Sequence, residues 1–201
     1  MLDHEAFMQL AILEAEHARG TTGDNPWVGC VLVDPLGGVV AQGHTQGPGE
    51  DHAEIAAFRV ARARGVPSES LTLYSTLEPC SFHARTPACS RVIVEERVSR
   101  VIIGMRDPHP RVDGEGARIL RDAGIEVIEG VCEREVRRQL GSWVLIHHPH
   151  EPLRRARALS STHEAGAIAL ALAEIYAVDL LRAEGIVRLL SEPNLRRPSR
   201  S

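Results

Sequence analysis

Apolar residues recur at helical spacing from Glu5 to Arg19, and Gly20 with Gly23 ends that pattern, so a first helix is expected there. The next two apolar runs, WVGCVLVD and GGVVAQGH, are short, β-branched and separated by Pro35, Leu36 and Gly37, the pattern of a hairpin. From there helix and strand alternate: a helix near 53–64, strand 71–75, helix 87–96, strand 100–105, helix 114–123, strand 125–128 and helix 131–140. Such alternation predicts an α/β fold, a three-layer α/β/α sandwich whose mixed sheet begins with a hairpin and whose later strands are parallel. Thr86 is the expected cap of the helix at 87–96, with Pro87 at its first helical position.

The periodicity stops at HHPHEP, His147 to Pro152, which holds two prolines. We therefore expect one domain over residues 1–146, a linker over 147–160, and a C-terminal helix with a disordered tail over 161–201. Ser161, with Glu164 three residues on, reads as a capping box for one long helix that runs to about Gly185. Its apolar residues Ile168, Leu170, Leu172, Ile175, Tyr176, Val178, Leu180 and Leu181 cover more than one face. A helix of that kind packs on the domain or on a partner subunit, so a homodimer or higher homo-oligomer is expected. His147, His148 and His150 read as a solvated linker rather than a second metal site, and Arg154, Arg155 and Arg157 as a solvated charged segment.

Composition narrows the function. Aromatic residues are 3% of the 201, too few for a base-stacking platform, and a formal net charge of −4 suits small substrates better than nucleic acid. All 23 basic residues are arginine, which removes a Schiff-base lysine and a phosphate-loop lysine together. Asp3 and Glu5 precede any apolar run, unlike a secretory signal, and no apolar stretch approaches the roughly 18 residues of a membrane span. A cytoplasmic protein without membrane contact is expected. Its four cysteines then read as ligands or core residues rather than as disulfides.

Two segments carry the chemistry. DHAEIAAF puts His52 and Glu54 two residues apart at the start of a helix, and TLEPCSFHARTPACSRV puts Cys80 after a strand and Cys89 in the first turn of the next helix. One histidine and two cysteines make three zinc ligands and leave the fourth tetrahedral position open, whereas a structural site is normally closed. Glu54 does not share a helix face with His52, so it is better placed as a proton carrier than as a ligand. This HxE…PC…C arrangement is that of the hydrolytic zinc deaminases, in which the glutamate is general acid and base. Cys30 and Cys132 read as core cysteines. Trp27, next to Pro26, reads equally as a pocket wall or as packing.

The segments NPWVGCVLV, GHTQGPGEDHAE, LYSTLEPCSFHARTPAC and GMRDPHPRVDGEGARILRDAGIEVIEGV resemble the pyrimidine deaminase domain of bacterial riboflavin biosynthesis, over roughly residues 3 to 145. The eight residues between Cys80 and Cys89 set it apart from cytidine and tRNA deaminases, whose cysteines are two apart. The resemblance implies a cytidine deaminase-like fold, one zinc ion and deamination of a diaminopyrimidinone that carries a ribosyl phosphate. It also implies that Asn25 and His44 line the base pocket, while Arg85, Asp107 and His109 lie near the sugar phosphate.

This sequence departs from that family at Phe82, where a histidine is usual, at Ala84 and Ala88, where glycine and proline are usual, and at His109, where asparagine is usual. These changes gather where the ribose phosphate would be read, which makes Phe82 a further substrate-site candidate. No reductase pattern follows His150, so either a separate reductase completes the pathway or the chain deaminates another amino heterocycle. A natural-product deaminase of another pyrimidine or pteridine is thus the main alternative, and a nucleoside or tRNA deaminase the second.

Overall fold

The computed structural model describes residues 2–82, 87–109, 112–160 and 164–191. The chain separates into two compact units, Met1–Val136 and Arg137–Ser201. In the first unit, α1 (His4–Ala15) starts at Asp3, whose carboxylate accepts the Ala6 N–H at 3.1 Å, and runs into a 3₁₀ turn, Glu16–Ala18. The hairpin follows as β1 (Gly29–Val33) and β2 (Val39–His44). At its turn the Asp34 carboxylate accepts the N–H groups of Leu36 and Gly38 at 2.8 and 2.9 Å, and Gly37 takes a φ of +90°. Next come α2 (Ala53–Ala63), β3 (Thr72–Leu77), α3 (Cys89–Glu96), β4 (Arg100–Met105), α4 (Glu115–Asp122) and β5 (Glu126–Glu129).

These strands form one five-stranded sheet in the order β2-β1-β3-β4-β5. β1 pairs antiparallel with both β2 and β3, while β3–β4 and β4–β5 are parallel, so the expected mixed sheet is present. The pleat assigns the layers. Gly29 faces α1, where a Cβ would collide with the Ala11 carbonyl oxygen, and Val31, Val33, Tyr74 and Ile102 join Met8 and Ala11 in the core on that face. Gly43, one residue out of phase with the Gly29 partner His44, faces α2 on the other side. Helices therefore cover both faces, and small residues let α1 and α2 lie directly on the hairpin.

That close approach makes Gly43 sensitive. A Cβ there would collide with the Ala57 amide and lie 2.5 Å from the Ala53 carbonyl oxygen, both backbone atoms of α2. Gly43→Ala is expected to destabilise the unit by about 1–3 kcal/mol, read as a lower urea midpoint. An unchanged midpoint would show that α2 is free to retreat.

The second unit begins within α5 (Glu133–Gln139) and contains its last residues, with α6 (Gly141–His147), α7 (His150–Leu159), α8 (Ala165–Tyr176) and α9 (Leu180–Ser191). Gly141 lets α6 reach α8, since a Cβ would collide with the Tyr176 carbonyl oxygen. The Tyr176 hydroxyl donates to Glu151 at 2.7 Å and accepts from the Arg137 guanidinium at 3.3 Å.

Two expectations for this region need correction. The segment 147–160 is not an irregular linker, because α7 occupies His150–Leu159. Pro149 is its N-cap and Pro152 lies in its first turn, where a missing N–H costs nothing, so these prolines mark a helix start. Nor is there one long C-terminal helix. Ala177 adopts a left-handed φ of +51° that ends α8, and Asp179 opens α9 by accepting the Arg182 N–H at 2.9 Å. Gly185 falls inside α9. α8 buries Ile168, Leu172 and Tyr176 along one stripe and leaves Leu170 exposed. The expected cap Ser161 and the tail from residue 192 lie outside the described residues.

Candidate active site

The start of β1 and the ends of β2 and β3 lie at one end of the sheet, because β1 runs antiparallel to both neighbours. At that end β3 hands over to Glu78, Pro79 and Cys80, while α2 and α3 begin there. His52 is the N-cap of α2 in extended conformation, with φ −73° and ψ 163°, and its Nδ1 lies 3.7 Å from Cys80 Sγ and 3.3 Å from Cys89 Sγ. The nitrogen and the two sulfurs are all within 4.8 Å of one another.

Cys80 also caps α3. Its sulfur accepts the Cys89 N–H at 3.2 Å and its carbonyl oxygen accepts the Ser90 N–H at 3.1 Å, which satisfies two free donors of the first turn. The cap expected from Thr86 and Pro87 is replaced, for the N-cap is Ala88 and Cys89 is the first helical residue. Thr86 itself lies outside the described residues, as do Ala84 and Arg85, the residue expected near a phosphate.

The electrostatics are those of a metal site. The Cys80 thiol is pushed well below its ordinary pKa by the hydrogen bond it shares with Cys89 and by His52, while Cys89 is pushed up by that same hydrogen bond, by burial and by the negative charges of Glu54 and Cys80. His52 is raised by its hydrogen bond to Cys80. A divalent ion relieves this crowding by taking both thiolates and one neutral imidazole, and an NS₂ donor set fits zinc rather than magnesium or calcium. Glu54 stands outside the ligand set. It is only 3% exposed in the first turn of α2, burial raises its pKa, and its carboxylate contacts the Cys89 thiol.

A second buried carboxylate escaped the sequence reading. Glu78, 3% exposed, accepts the N–H groups of Asp107 at 3.3 Å, Gly114 at 2.9 Å and Ala117 at 3.1 Å. It thereby fastens the segment after β4 and the start of α4 beside the candidate ligands Cys80 and Cys89. Its signal was the acid directly before the proline of EPC, which is hard to read because the groups it binds are backbone amides. Two hydroxyls escaped as well: Thr45 and Thr76 accept the N–H groups of Val28 and Gly29 at 3.1 and 3.2 Å and hold the strand end that follows Asn25.

The substrate candidates divide. Phe82 and His109 come together, with ring centroids 5.4 Å apart, and the Asp107 carboxylate accepts the His109 N–H at 2.8 Å. Asn25 is half-buried in a turn closed by Thr22, whose hydroxyl donates to the Asn25 carbonyl at 2.7 Å. Trp27, two residues on, lies under the Arg19 guanidinium, 5.0 Å from its ring centroid. His44 is a correction. Its strand parity turns it to the α1 face, where Nδ1 meets Glu14 Oε1 at 2.7 Å, rather than to the face covered by α2. Cys30 is fully buried, whereas Cys132 only borders the α1-face core.

Burial raises the Asp107 pKa to about 7, far above that of an unfolded aspartate, so the folded state binds the extra proton between those values. This contribution to stability is complete below about pH 4 and is lost as the pH rises through about 7. Asp107→Asn should therefore flatten the pH dependence of the urea midpoint over that window and gain on the wild type at pH 8. Parallel curves for the two proteins would show that Asp107 is ionised throughout.

Residues 1–105 match the family described as the cytidine and deoxycytidylate deaminase zinc-binding region, and since this is over half of the chain, the protein belongs to that family. The chain is 42% identical to the Escherichia coli riboflavin biosynthesis protein RibD over 134 residues, which cover 67% of this chain and 35% of that protein. It is 38% identical to the Aquifex aeolicus RibD over 156 residues, covering 76% of this chain and 43% of that one. The crystal structure of a Thermotoga maritima diaminohydroxyphosphoribosylaminopyrimidine deaminase/5-amino-6-(5-phosphoribosylamino)uracil reductase superposes with a TM-score of 0.67 at 40% identity. That match covers 71% of this chain and 40% of the Thermotoga chain. The chain thus spans well under half the length of these relatives.

Proposed function

We propose that this protein is a zinc-dependent hydrolytic deaminase of an amino-pyrimidine, and that its substrate is the diaminohydroxy-phosphoribosylaminopyrimidine of riboflavin biosynthesis. The observation that carries the reading is the convergence of His52, Cys80 and Cys89 on one point with the buried Glu54 beside them. Likeness to RibD over the deaminase portion supports the choice of substrate.

Held by those three ligands, zinc supplies Lewis-acid activation of the attacking water. Glu54 accepts a proton from that water as its oxygen bonds to the amine-bearing ring carbon. The carboxyl group then gives this proton to the ring nitrogen, takes a second one from the hydroxyl now bonded to the ring carbon and passes it to the amine, so that the C–N bond breaks, ammonia leaves and a ring carbonyl remains. Burial keeps bulk water from competing for these protons. Asn25 is assigned to the base, and Asp107, His109 and Phe82 to the sugar side.

Ammonia release from the zinc-loaded full chain tests this. Turnover is expected with the phosphoribosyl diaminopyrimidine and not with cytidine, adenosine or tRNA; no ammonia from any diaminopyrimidine would end the reading. One observation favours a second reading, a related deaminase of another pyrimidine or pteridine: the Phe82 ring lies against His109 where a phosphate reader would be charged. Equal kinetics with and without the phosphate would select it.

No helix among the described residues is long and apolar enough to cross a membrane. We assign the protein to the cytoplasm and infer a homodimer or higher homo-oligomer, supported by the exposed Ile146, Leu159 and Leu170. A reductase acting on the deaminated product is its expected pathway partner.

A further inference from the structure

On the sheet face away from α2, three metal-type donors converge that the proposed chemistry does not use. Glu14 lies in the last turn of α1, His17 in the 3₁₀ turn that follows, and His44 at the end of β2. Glu14 Oε1 is 2.7 Å from His44 Nδ1 and Glu14 Oε2 is 3.4 Å from His17 Nδ1, with the imidazole centroids 5.5 Å apart. One donor atom from each residue can be chosen so that all lie within 4.8 Å of one another. We propose that Glu14, His17 and His44 form a second site for a divalent transition-metal ion of the zinc class.

The geometry is near what such an ion needs. With metal–ligand bonds of about 2.0–2.1 Å, two ligands of a tetrahedral ion stand about 3.4 Å apart. His17 and Glu14 already keep that separation, and the shorter His44 contact is a hydrogen bond that the ion would replace and slightly open. Two imidazole nitrogens and a carboxylate oxygen are a borderline donor set, which suits zinc, cobalt or nickel and not calcium or magnesium.

The donors are held in place before any ion arrives. Ala11 and Ala15 of α1 pack on Gly29, and Gly29 pairs with His44 in the ladder, so the end of α1 and the end of β2 are locked together. Glu14 is mostly buried, with 14% of its side chain exposed, whereas His17 is 67% exposed and leaves an open approach for the ion and its waters. The neighbouring cation, Arg19, is held by both oxygens of Glu16 at 2.6 and 2.8 Å and lies over Trp27, so its charge is compensated. An ion here would tie α1 to the strand end that leads into His52.

Cobalt(II) titration of the full chain separates the two sites, since only the one holding sulfur gives intense thiolate-to-metal charge-transfer absorption. The wild type should take up two equivalents at micromolar free cobalt, one with that absorption and one without. His17→Ala, at an exposed position that does not disturb folding, should lose the second equivalent and keep the first, and His44→Gln should do the same. Cys80→Ser should do the reverse. Uptake of a single equivalent by the wild type, or of two by the His17→Ala, His44→Gln double variant, would overturn the proposal. The readout needs no substrate, so its failure leaves the deaminase reading untouched.

Discussion

Glu54→Gln is expected to lower kcat by about 10²–10⁴-fold or more while the protein keeps its fold and its sulfur-bound metal. The argument rests on what the substitution leaves alone. Glutamine matches the glutamate in shape and remains in the first turn of α2, so the packing of Ala53, Ala57 and Phe58 is preserved. The carboxylate lies outside the ligand set, so His52, Cys80 and Cys89 still hold the ion. What disappears is a group that can take a proton and give it back. A buried charge is also removed, and since burial already disfavours it, stability should not fall. Ammonia release, cobalt absorption and the urea midpoint together check the claim. If Glu54→Gln kept activity within tenfold of the wild type, with the metal retained, some other group would have to carry the protons.

The sequence displayed the candidate metal site more fully than its surroundings, for physical reasons. His52, Cys80 and Cys89 belong to residue types whose chemistry is rare, and their flanking elements, a helix start and a strand end, follow from the spacing of apolar residues. Glu78 stayed hidden because it binds backbone amides of Asp107, Gly114 and Ala117, and backbone partners leave no trace in side-chain composition. His44 was misplaced for a different reason. One step along a strand reverses the face, and only the pairing of His44 with Gly29 shows which side it takes. In the second unit the prolines misled, because Pro149 and Pro152 read alike as breakers although both fall where a helix tolerates them. The break at Ala177 needed a left-handed alanine, which propensity does not foretell; its companion signal, Asp179 three residues before Arg182, is an ordinary cap.

Removing either cysteine should have the largest effect on stability. Cys80→Ser and Cys89→Ser are expected to abolish the charge-transfer absorption of the cobalt protein and, with zinc present, to lower the unfolding free energy by about 4 kcal/mol if free zinc stands about 1,000-fold above its dissociation constant. The size follows from linkage: the ion binds only where α2, β3 and α3 have come together, so its binding energy becomes folding energy. Cys80 has a second task, since its sulfur caps α3 through the Cys89 N–H. A serine oxygen can still accept there and an alanine cannot, so Cys80→Ala should cost about 1 kcal/mol more than Cys80→Ser even in chelator. Chelator strips any ion at Glu14, His17 and His44 from every variant alike, so the difference between wild type and Cys80→Ser reports the sulfur site alone. That difference should collapse to near zero when chelator is added, because the serine keeps the cap. Cys30→Ala, deep in the core and away from the ligand set, should keep the cobalt band. A wild type whose midpoint ignores chelator, or a Cys89→Ser variant that retains the band, would mean that these sulfurs do not hold the metal.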